Sequence, residues 1–227
     1  MSVEIKVISG GAMRRFLSEA VPLFEREGGH EVAIQFGLTR DMKAAIEAGA
    51  AFDLALLPRS ALDDLVQVGK IAPGAITDVV RSLVGLMVRT GAAEPDISSV
   101  EAFKAVLRRA KAISYSKGPS GLYVVELLRR LGLAAELEPK TVFAIGRPVG
   151  EVIANGEAEV GMQQIIENQP VAGAHLVGPL PAELINYVMY SAGFAPAAAR
   201  GPGEAFIKFL ASPPAASIIR AKGMEPA

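Results

Sequence analysis

The sequence of 227 residues contains no cysteine and only two histidines, His30 and His175. The absence of cysteine excludes disulfides, thiolate metal sites and cysteine nucleophiles, and two histidines make a multi-histidine metal centre an unfavoured interpretation. The sequence also lacks an excess of either charge, since 23 basic side chains face 24 acidic ones. A chain so close to neutrality has no long-range field that attracts nucleic acid, so we expect no nucleic-acid partner.

Long apolar runs and enzyme signatures are missing as well. No segment of the sequence has the uninterrupted apolar length of a membrane span, and its first residues do not resemble a secretory signal. The location stays open: periplasmic if a signal was removed, cytoplasmic if this is the native start. The sequence contains no nucleophile elbow, Walker loop, zinc-binding His-Glu-x-x-His or dinucleotide fingerprint. We therefore predict a binding protein rather than an enzyme, with no catalytic residue, metal or cofactor.

Hydrophobic residues make up 51% of the sequence and are arranged as alternating strands and helices. Strands that end in small or polar turns are each followed by an amphipathic helix, which predicts parallel sheets with helices on both faces. The predicted strands are Val3–Ile8, Glu31–Phe36, Asp53–Leu57, Ala112–Ser114, Thr141–Ala144 and Val160–Gln163, and Tyr115–Gly121 is predicted as a loop.

Two long strand-like segments, near residues 80–90 and 183–194, separate these strand and helix units. They predict an α/β fold of two lobes joined by two crossing strands. The first lobe is expected to contain residues 1–82 and 190–227, and the second residues 83–189. A ligand is then expected in the cleft between the lobes.

Candidate ligand-binding residues follow the strands at the points where helices begin. Such turns present free backbone N–H groups and the positive end of a helix dipole, both of which suit an anion. The candidates are Ser9, Gly10, Gly11, Ala12, Thr39, Arg40, Pro58, Arg59, Ser116, Ser120, Gly121, Arg147, Gln163 and Gln164.

Each candidate also has a purely structural interpretation. The Ser9-Gly10-Gly11 turn is consistent with nothing more than a tight connection, and Thr39 with a helix cap. Arg59 and Arg147 fit surface ion pairs as well as they fit a ligand. One glutamine of the Gln163-Gln164 pair should face the cleft and the other should point away, because side chains alternate along a strand.

Four segments, in order along the chain, carry a family resemblance. They are Ile46–Leu54, Pro119–Tyr123, Asn155–Gly161 and Phe206–Gly223. Together they resemble the molybdate-binding protein of ABC transporters and, more broadly, the type II periplasmic binding-protein superfamily. The resemblance implies a type II fold in which each lobe is a mostly parallel sheet flanked by helices. It also implies capture of a small anion for uptake, an ABC transporter permease as partner, and a monomer.

The ligand positions of that family are only partly matched. The family has a serine after its first strand, where this sequence has Ala12. A second serine of the family falls on Thr39 or on Leu38, and its tyrosine falls near Gln163 or Gln164. The family's molybdate ligand set is thus incomplete in this sequence.

Arginines stand at three of the predicted turns, as Arg40, Arg59 and Arg147. Because the planar guanidinium matches a carboxylate, they favour a carboxylate over a tetrahedral oxyanion such as molybdate. Two alternatives stay open: a cytoplasmic ligand sensor or effector-binding domain of the same fold, and an enzyme on that scaffold.

Overall fold

Strands in the first part of the chain end where helices begin, as the sequence predicts. The computed structural model of the protein describes residues 3–117, 119–167, 171–198 and 200–227. The strands and helices of this first part are β1 (Glu4–Gly10), α1 (Arg14–Gly28), β2 (Glu31–Gly37), α2 (Thr39–Glu47), β3 (Leu54–Pro58) and α3 (Arg59–Gln67). β1 and β3 are buried along most of their length, as expected of parallel strands covered by helices.

β1 lies between β2 and β3 and pairs in parallel with both strands. Its last residue, Gly10, faces Gly37 at the end of β2. Two longer strands, β4 (Ile76–Arg89) and β9 (Tyr187–Phe194), extend the sheet, since β9 runs antiparallel beside β3 and lies next to β4. Because β1, β2 and β3 run in one direction, their carboxyl ends share one edge, which we call the carboxyl edge of this sheet.

The chain divides into two compact units. Unit 1 contains the chain up to Ser82 together with Val188–Ala227, and unit 2 is Leu83–Tyr187. Unit 1 therefore contains the sheet around β1 and the closing part of the chain. The closing elements are α8 (Arg200–Leu210), α9 (Pro213–Ala221) and β10 (Glu225–Pro226), the last of which pairs antiparallel with β4.

Unit 2 is built around a second set of parallel strands. β5 pairs in parallel with β6 on one side and with β7 on the other, and the end of β4 runs antiparallel to both β7 and β8. The carboxyl ends of β5, β6 and β7 share the carboxyl edge of this sheet. The elements are α4 (Val100–Arg109), β5 (Ile113–Ser116), α5 (Pro119–Arg130), α6 (Ala134–Leu137), β6 (Thr141–Ala144), α7 (Val149–Ala154), β7 (Val160–Gln164) and β8 (Ala174–Pro179), with short 3-10 turns at Glu138–Lys140, Ile165–Glu167 and Ala182–Leu184.

The predicted loop at Tyr115–Gly121 is shorter in the structure. β5 continues to Ser116 because that residue still pairs with β6, and α5 begins at Pro119, where the missing N–H of proline costs nothing. β8 was not among the predicted strands. Its apolar run is interrupted by Gly178 and Pro179, so the local pattern does not indicate a strand. The segment is a strand because it pairs with β4.

Each unit has its own apolar core. In unit 2, Phe103 of α4 and Met162 of β7 are both fully buried in one cluster. In unit 1, Ile8 of β1 and Leu62 of α3 belong to a second cluster. Of the helices in the described ranges, none is both long enough and apolar enough to cross a membrane.

Phe103→Ala tests the core of unit 2. Phe103 is fully buried, so its truncation should lower the free energy of unfolding by about 3–5 kcal/mol. Leu122→Ala is the matched control in the same unit, because the Leu122 side chain is 68% exposed and little should change. Urea denaturation followed by circular dichroism measures both. Equal transition midpoints for the two variants would contradict this description of the core.

Candidate functional site

Three helix starts lie at the carboxyl edge of unit 1. β1 leads into a 3-10 turn (Gly11–Met13), β2 leads into α2, and β3 leads into α3. The residues that precede these helices share an extended backbone, with φ and ψ of −62° and 139° at Gly10, −64° and 140° at Leu38, and −51° and 138° at Pro58. None of these three residue types has a side-chain oxygen that can cap a helix. No side chain therefore caps these three starts, and the positive dipole ends and the N–H groups of the first helical residues, such as Thr39 and Arg40, face this edge.

Gly10, Thr39 and Tyr190 come together at the same edge. A Cβ placed on Gly10 would lie 3.5 Å from Thr39 Oγ1 and 3.9 Å from Tyr190 Cε1. Tyr190 reaches this position because β9 pairs antiparallel with β3, which sets Tyr190 opposite Pro58. Sequence reasoning missed Tyr190, since only a long-range strand pairing places it here. A hydroxyl, an aromatic ring and helix-start amides thus surround one small volume.

Ser9 and Ala12 contribute less than the sequence suggests. Ser9 is fully buried, and its Oγ lies 3.2 Å from the carbonyl oxygen of Leu56 and 3.3 Å from that of Gly10. Its hydroxyl donates within the sheet and stabilises the turn. Ala12 lies in the 3-10 turn and offers no hydroxyl.

The two arginines at this edge are both paired with carboxylates. Arg40 Nε lies 3.2 Å from Asp41 Oδ1, and the Arg40 side chain is 82% exposed. Arg59 donates to Asp63 at 2.9 Å and to Asp78 at 3.2 Å. These bonds, to Asp63 first, raise the pKa of the Arg59 guanidinium above its usual value. Arg59 is thus a fixed cation at the edge that would have to share its donors with a ligand.

Asp78 and Ser191 were not selected from the sequence. Ser191 is fully buried on β9, and its Oγ donates to Asp78 Oδ1 at 2.6 Å, the same oxygen that Arg59 reaches. The three residues come from α3, β4 and β9, so the cluster has no local sequence signal. It places one carboxylate beside the anion-favouring turns.

Ser116, Ser120 and Gly121 meet at the carboxyl edge of unit 2. Ser116 Oγ lies 3.3 Å from Ser120 Oγ, and Ser120 is 2% exposed. A Cβ on Gly121 would overlap the backbone carbonyl of Ser116, so only glycine lets the start of α5 approach the end of β5 this closely. The hydroxyl pair and a helix start are therefore held together by backbone packing.

Gln163 and Arg147 both form hydrogen bonds close to α7. Gln163 Oε1 accepts the backbone N–H of Val149 at 3.1 Å, so Gln163 faces α7 and its neighbour Gln164 faces the opposite side of the sheet. Arg147 donates to both carboxylate oxygens of Glu157, at 2.7 and 2.6 Å. Arg147 is therefore engaged in a bidentate ion pair.

Within the described part of the chain, His, Asp and Glu side chains form no group of three or more that could hold a metal ion. The polar groups at both edges are hydroxyls, amides and arginines that are paired with carboxylates. Their common chemistry is hydrogen-bond donation, which suits an anion.

The sequence matches a known protein family along nearly its whole length. The sequence model of that family, described as bacterial extracellular solute-binding protein, matches residues 5–225. The chain belongs to this family. The family resemblance predicted from the sequence is thereby confirmed.

This solute-binding protein has relatives with different names. It is 34% identical over 233 residues to aconitate isomerase of Pseudomonas sp. The aligned region covers 98% of this chain and 87% of the relative. It is 22% identical over 229 residues to the molybdate-binding protein ModA of Azotobacter vinelandii, covering 98% and 90%. The substrate-binding domain assigned to a molybdenum ABC transporter of Clostridium difficile has a TM-score of 0.82 at 19% identity, with 100% of both chains covered. This likeness confirms the predicted type II periplasmic binding-protein fold.

Gly121→Ala tests the packing that builds the unit 2 edge. The added methyl group would force α5 away from β5, so we expect a loss of about 3 kcal/mol in the free energy of unfolding. The matched control is Gly201→Ala, also in the first turn of a helix, where a Cβ meets nothing within 4 Å. Urea denaturation should show the control unchanged or slightly more stable. A Gly121→Ala protein as stable as the control would contradict the close approach.

Arg147→Gln tests the ion pair with Glu157 through its pH dependence. Hydrogen bonds from Arg147, and then from Asn155, lower the pKa of Glu157 below its ordinary value. A carboxyl with a lowered folded-state pKa stabilises the protein above its unfolded pKa of about 4.3, and this contribution is lost as the pH falls through the folded value. The variant should therefore be less stable at neutral pH and should approach the parent protein in acid. Thermal unfolding across pH, with Arg26→Gln as an exposed control, measures this. A stability difference that is the same at every pH would refute it.

Proposed function

We propose that the protein binds a small organic polycarboxylate at the carboxyl edge of the parallel strands in unit 1. The observation that carries this proposal is the set of helix starts behind Gly10, Leu38 and Pro58, none of which can be capped by the preceding side chain. Each start leaves N–H donors that a carboxylate oxygen can accept from. Thr39 adds a hydroxyl beside Gly10.

A carboxylate fits these residues better than a tetrahedral metal oxyanion does. A small dehydrated oxyanion needs many neutral donors on all sides. In this chain the Ser9 hydroxyl is used inside the sheet, and Ala12 supplies none. Arg59 provides a guanidinium at the edge, whose fork matches a carboxylate. The 34% identical relative named aconitate isomerase supports a tricarboxylate over molybdate.

Capture for uptake is the role that the family supports. In that role the protein releases its ligand to an ABC transporter permease and works as a monomer, with no covalent chemistry.

A second function, isomerisation of an unsaturated tricarboxylate, is favoured by the same 34% identity over 98% of the chain. Moving a double bond next to carboxylates requires a base that removes a proton and an acid that returns it. Among the carboxylates of the unit 1 edge, Asp78 is the candidate base, because Ser191 and Arg59 hold it in place. The two functions share a ligand and differ in whether turnover follows binding.

A ligand panel tests the proposal and separates the two functions. Thermal unfolding is measured with citrate, aconitate and tricarballylate, and with molybdate and sulfate. Larger stabilisation by tricarboxylates supports the proposal, because a ligand that binds the folded state raises the melting temperature by mass action. Larger stabilisation by molybdate, or none by any compound, overturns it. Proton NMR of the aconitate vinyl signals then shows whether bound ligand is converted, and Asp78→Asn should abolish any conversion.

Gly10→Ala and Thr39→Val should weaken binding of the stabilising tricarboxylate. The methyl group added at position 10 would be in ordinary contact with its neighbours, at 3.5 to 3.9 Å, so the fold should hold while the ligand loses space. Thr39→Val removes only the hydroxyl. Thr39→Val should raise Kd about tenfold or more, the usual cost of a lost hydrogen bond to a charged group. Gly10→Ala should also raise Kd, because the methyl group takes up space that the ligand needs. Isothermal titration calorimetry measures this, with the exposed Thr77→Val as control. Unchanged affinity in both variants would remove the unit 1 edge from the binding site.

A further inference from the structure

A cavity of about 460 Å³ opens in unit 2, at the edge of its sheet opposite to Gly121. It lies where β4 ends, α4 ends and β7 begins. Its apolar wall is formed by Val88, Val106, Ala158 and Val160, all of which are at most 6% exposed. Cavities of a few hundred Å³ with mostly apolar walls are typical of small-molecule sites.

Two arginines, Arg89 and Arg109, stand at this cavity. Among the contacts of the described residues, neither guanidinium takes part in an ion pair or a hydrogen bond, unlike Arg59 and Arg147. A guanidinium carries five N–H donors, so each arginine has donors to offer to an anion. The cavity therefore combines an apolar wall with two guanidinium groups that have no partner among the described residues.

Gly156 makes room for one of these cations. A Cβ on Gly156 would overlap the guanidinium of Arg89, and the φ of Gly156 is +75°, a conformation that other residues rarely adopt. Arg89 thus lies over the turn that leads into β7, against the cavity. A side chain at position 156 would displace the guanidinium from this position.

One acidic side chain, Glu159, also lines the cavity. Its Oε2 accepts the backbone N–H of Lys111 at 2.9 Å, which holds the carboxylate at the start of β7. The charged lining is therefore two arginines and one glutamate. A ligand with a single negative charge matches this balance better than a cation does.

We propose that this cavity binds a small monocarboxylate with a short apolar chain. The carboxylate accepts hydrogen bonds from Arg89 and Arg109, and the chain lies on the wall around Val106. This site belongs to unit 2 alone and is separate from the carboxyl edges. It is independent of the proposed function, because neither Gly10 nor Thr39 contributes to it.

Hexanoate is the probe, and isothermal titration calorimetry is the measurement. The protein should bind hexanoate at millimolar concentration, more tightly than acetate, which lacks the chain, and more tightly than hexanol or hexylamine, which lack the negative charge. Arg89→Gln and Arg109→Gln should each raise the Kd about tenfold, since each removes a charge-assisted hydrogen bond. Glu159→Gln should lower the Kd, because it removes the opposing charge and keeps an acceptor for Lys111.

Two controls make the outcome specific. Arg26→Gln, an exposed arginine of α1, should leave the hexanoate Kd unchanged, and so should Thr39→Val at the carboxyl edge. Loss of hexanoate binding in Thr39→Val would overturn the proposal by placing the ligand at the other site. Absence of binding, equal binding of hexanol and hexylamine, or unchanged affinity in both Arg89→Gln and Arg109→Gln would overturn it as well.

Discussion

Because β1 pairs in parallel with both β2 and β3, the turns that follow these three strands must lie at one edge of the sheet. This constraint assembles the candidate site from residues far apart in sequence, such as Gly10 and Thr39. In unit 2, β5 likewise pairs in parallel with β6 and β7, so the carboxyl ends of these strands share one edge. The position of the candidate residues at the unit 1 edge depends on this pairing.

The helix starts at the carboxyl edge of unit 1 lack a stabilising side-chain cap that the chain uses elsewhere. Ser99 caps α4 by accepting the N–H of Ala102 at 3.2 Å. Such a cap contributes about 1 kcal/mol, whereas Leu38 and Pro58 offer none. Stability is thus given up at positions where free N–H groups can serve a ligand. In the proposed function, an anion takes the place of the water that solvates these groups.

The elements of the fold could be predicted from the sequence because their signals are local. The predicted strand Thr141–Ala144 has the same bounds in the structure. Strand ends were harder, as at Ser116, because pairing with a neighbouring strand decides where a strand stops. β8 was missed for the same reason.

The candidate site was predictable only in part. Turns such as Ser9-Gly10-Gly11 have a local signal, but the direction in which the Ser9 hydroxyl points does not. Partners across the sheet have no local signal at all, and so Tyr190 and Asp78 were missed. Whether an arginine is free or paired also depends on long-range contacts, as Arg147 with Glu157 shows.

Amide hydrogen exchange at the first turns of α2 and α3 tests the central claim most directly, because it reports on the backbone donors themselves. With the tricarboxylate that stabilises the protein most, the N–H groups of Thr39, Arg40 and Ser60 should exchange more slowly than without it. Exchange at the capped first turn of α4 should stay the same. Slower exchange elsewhere, with no change at α2 and α3, would contradict an anion held by helix starts.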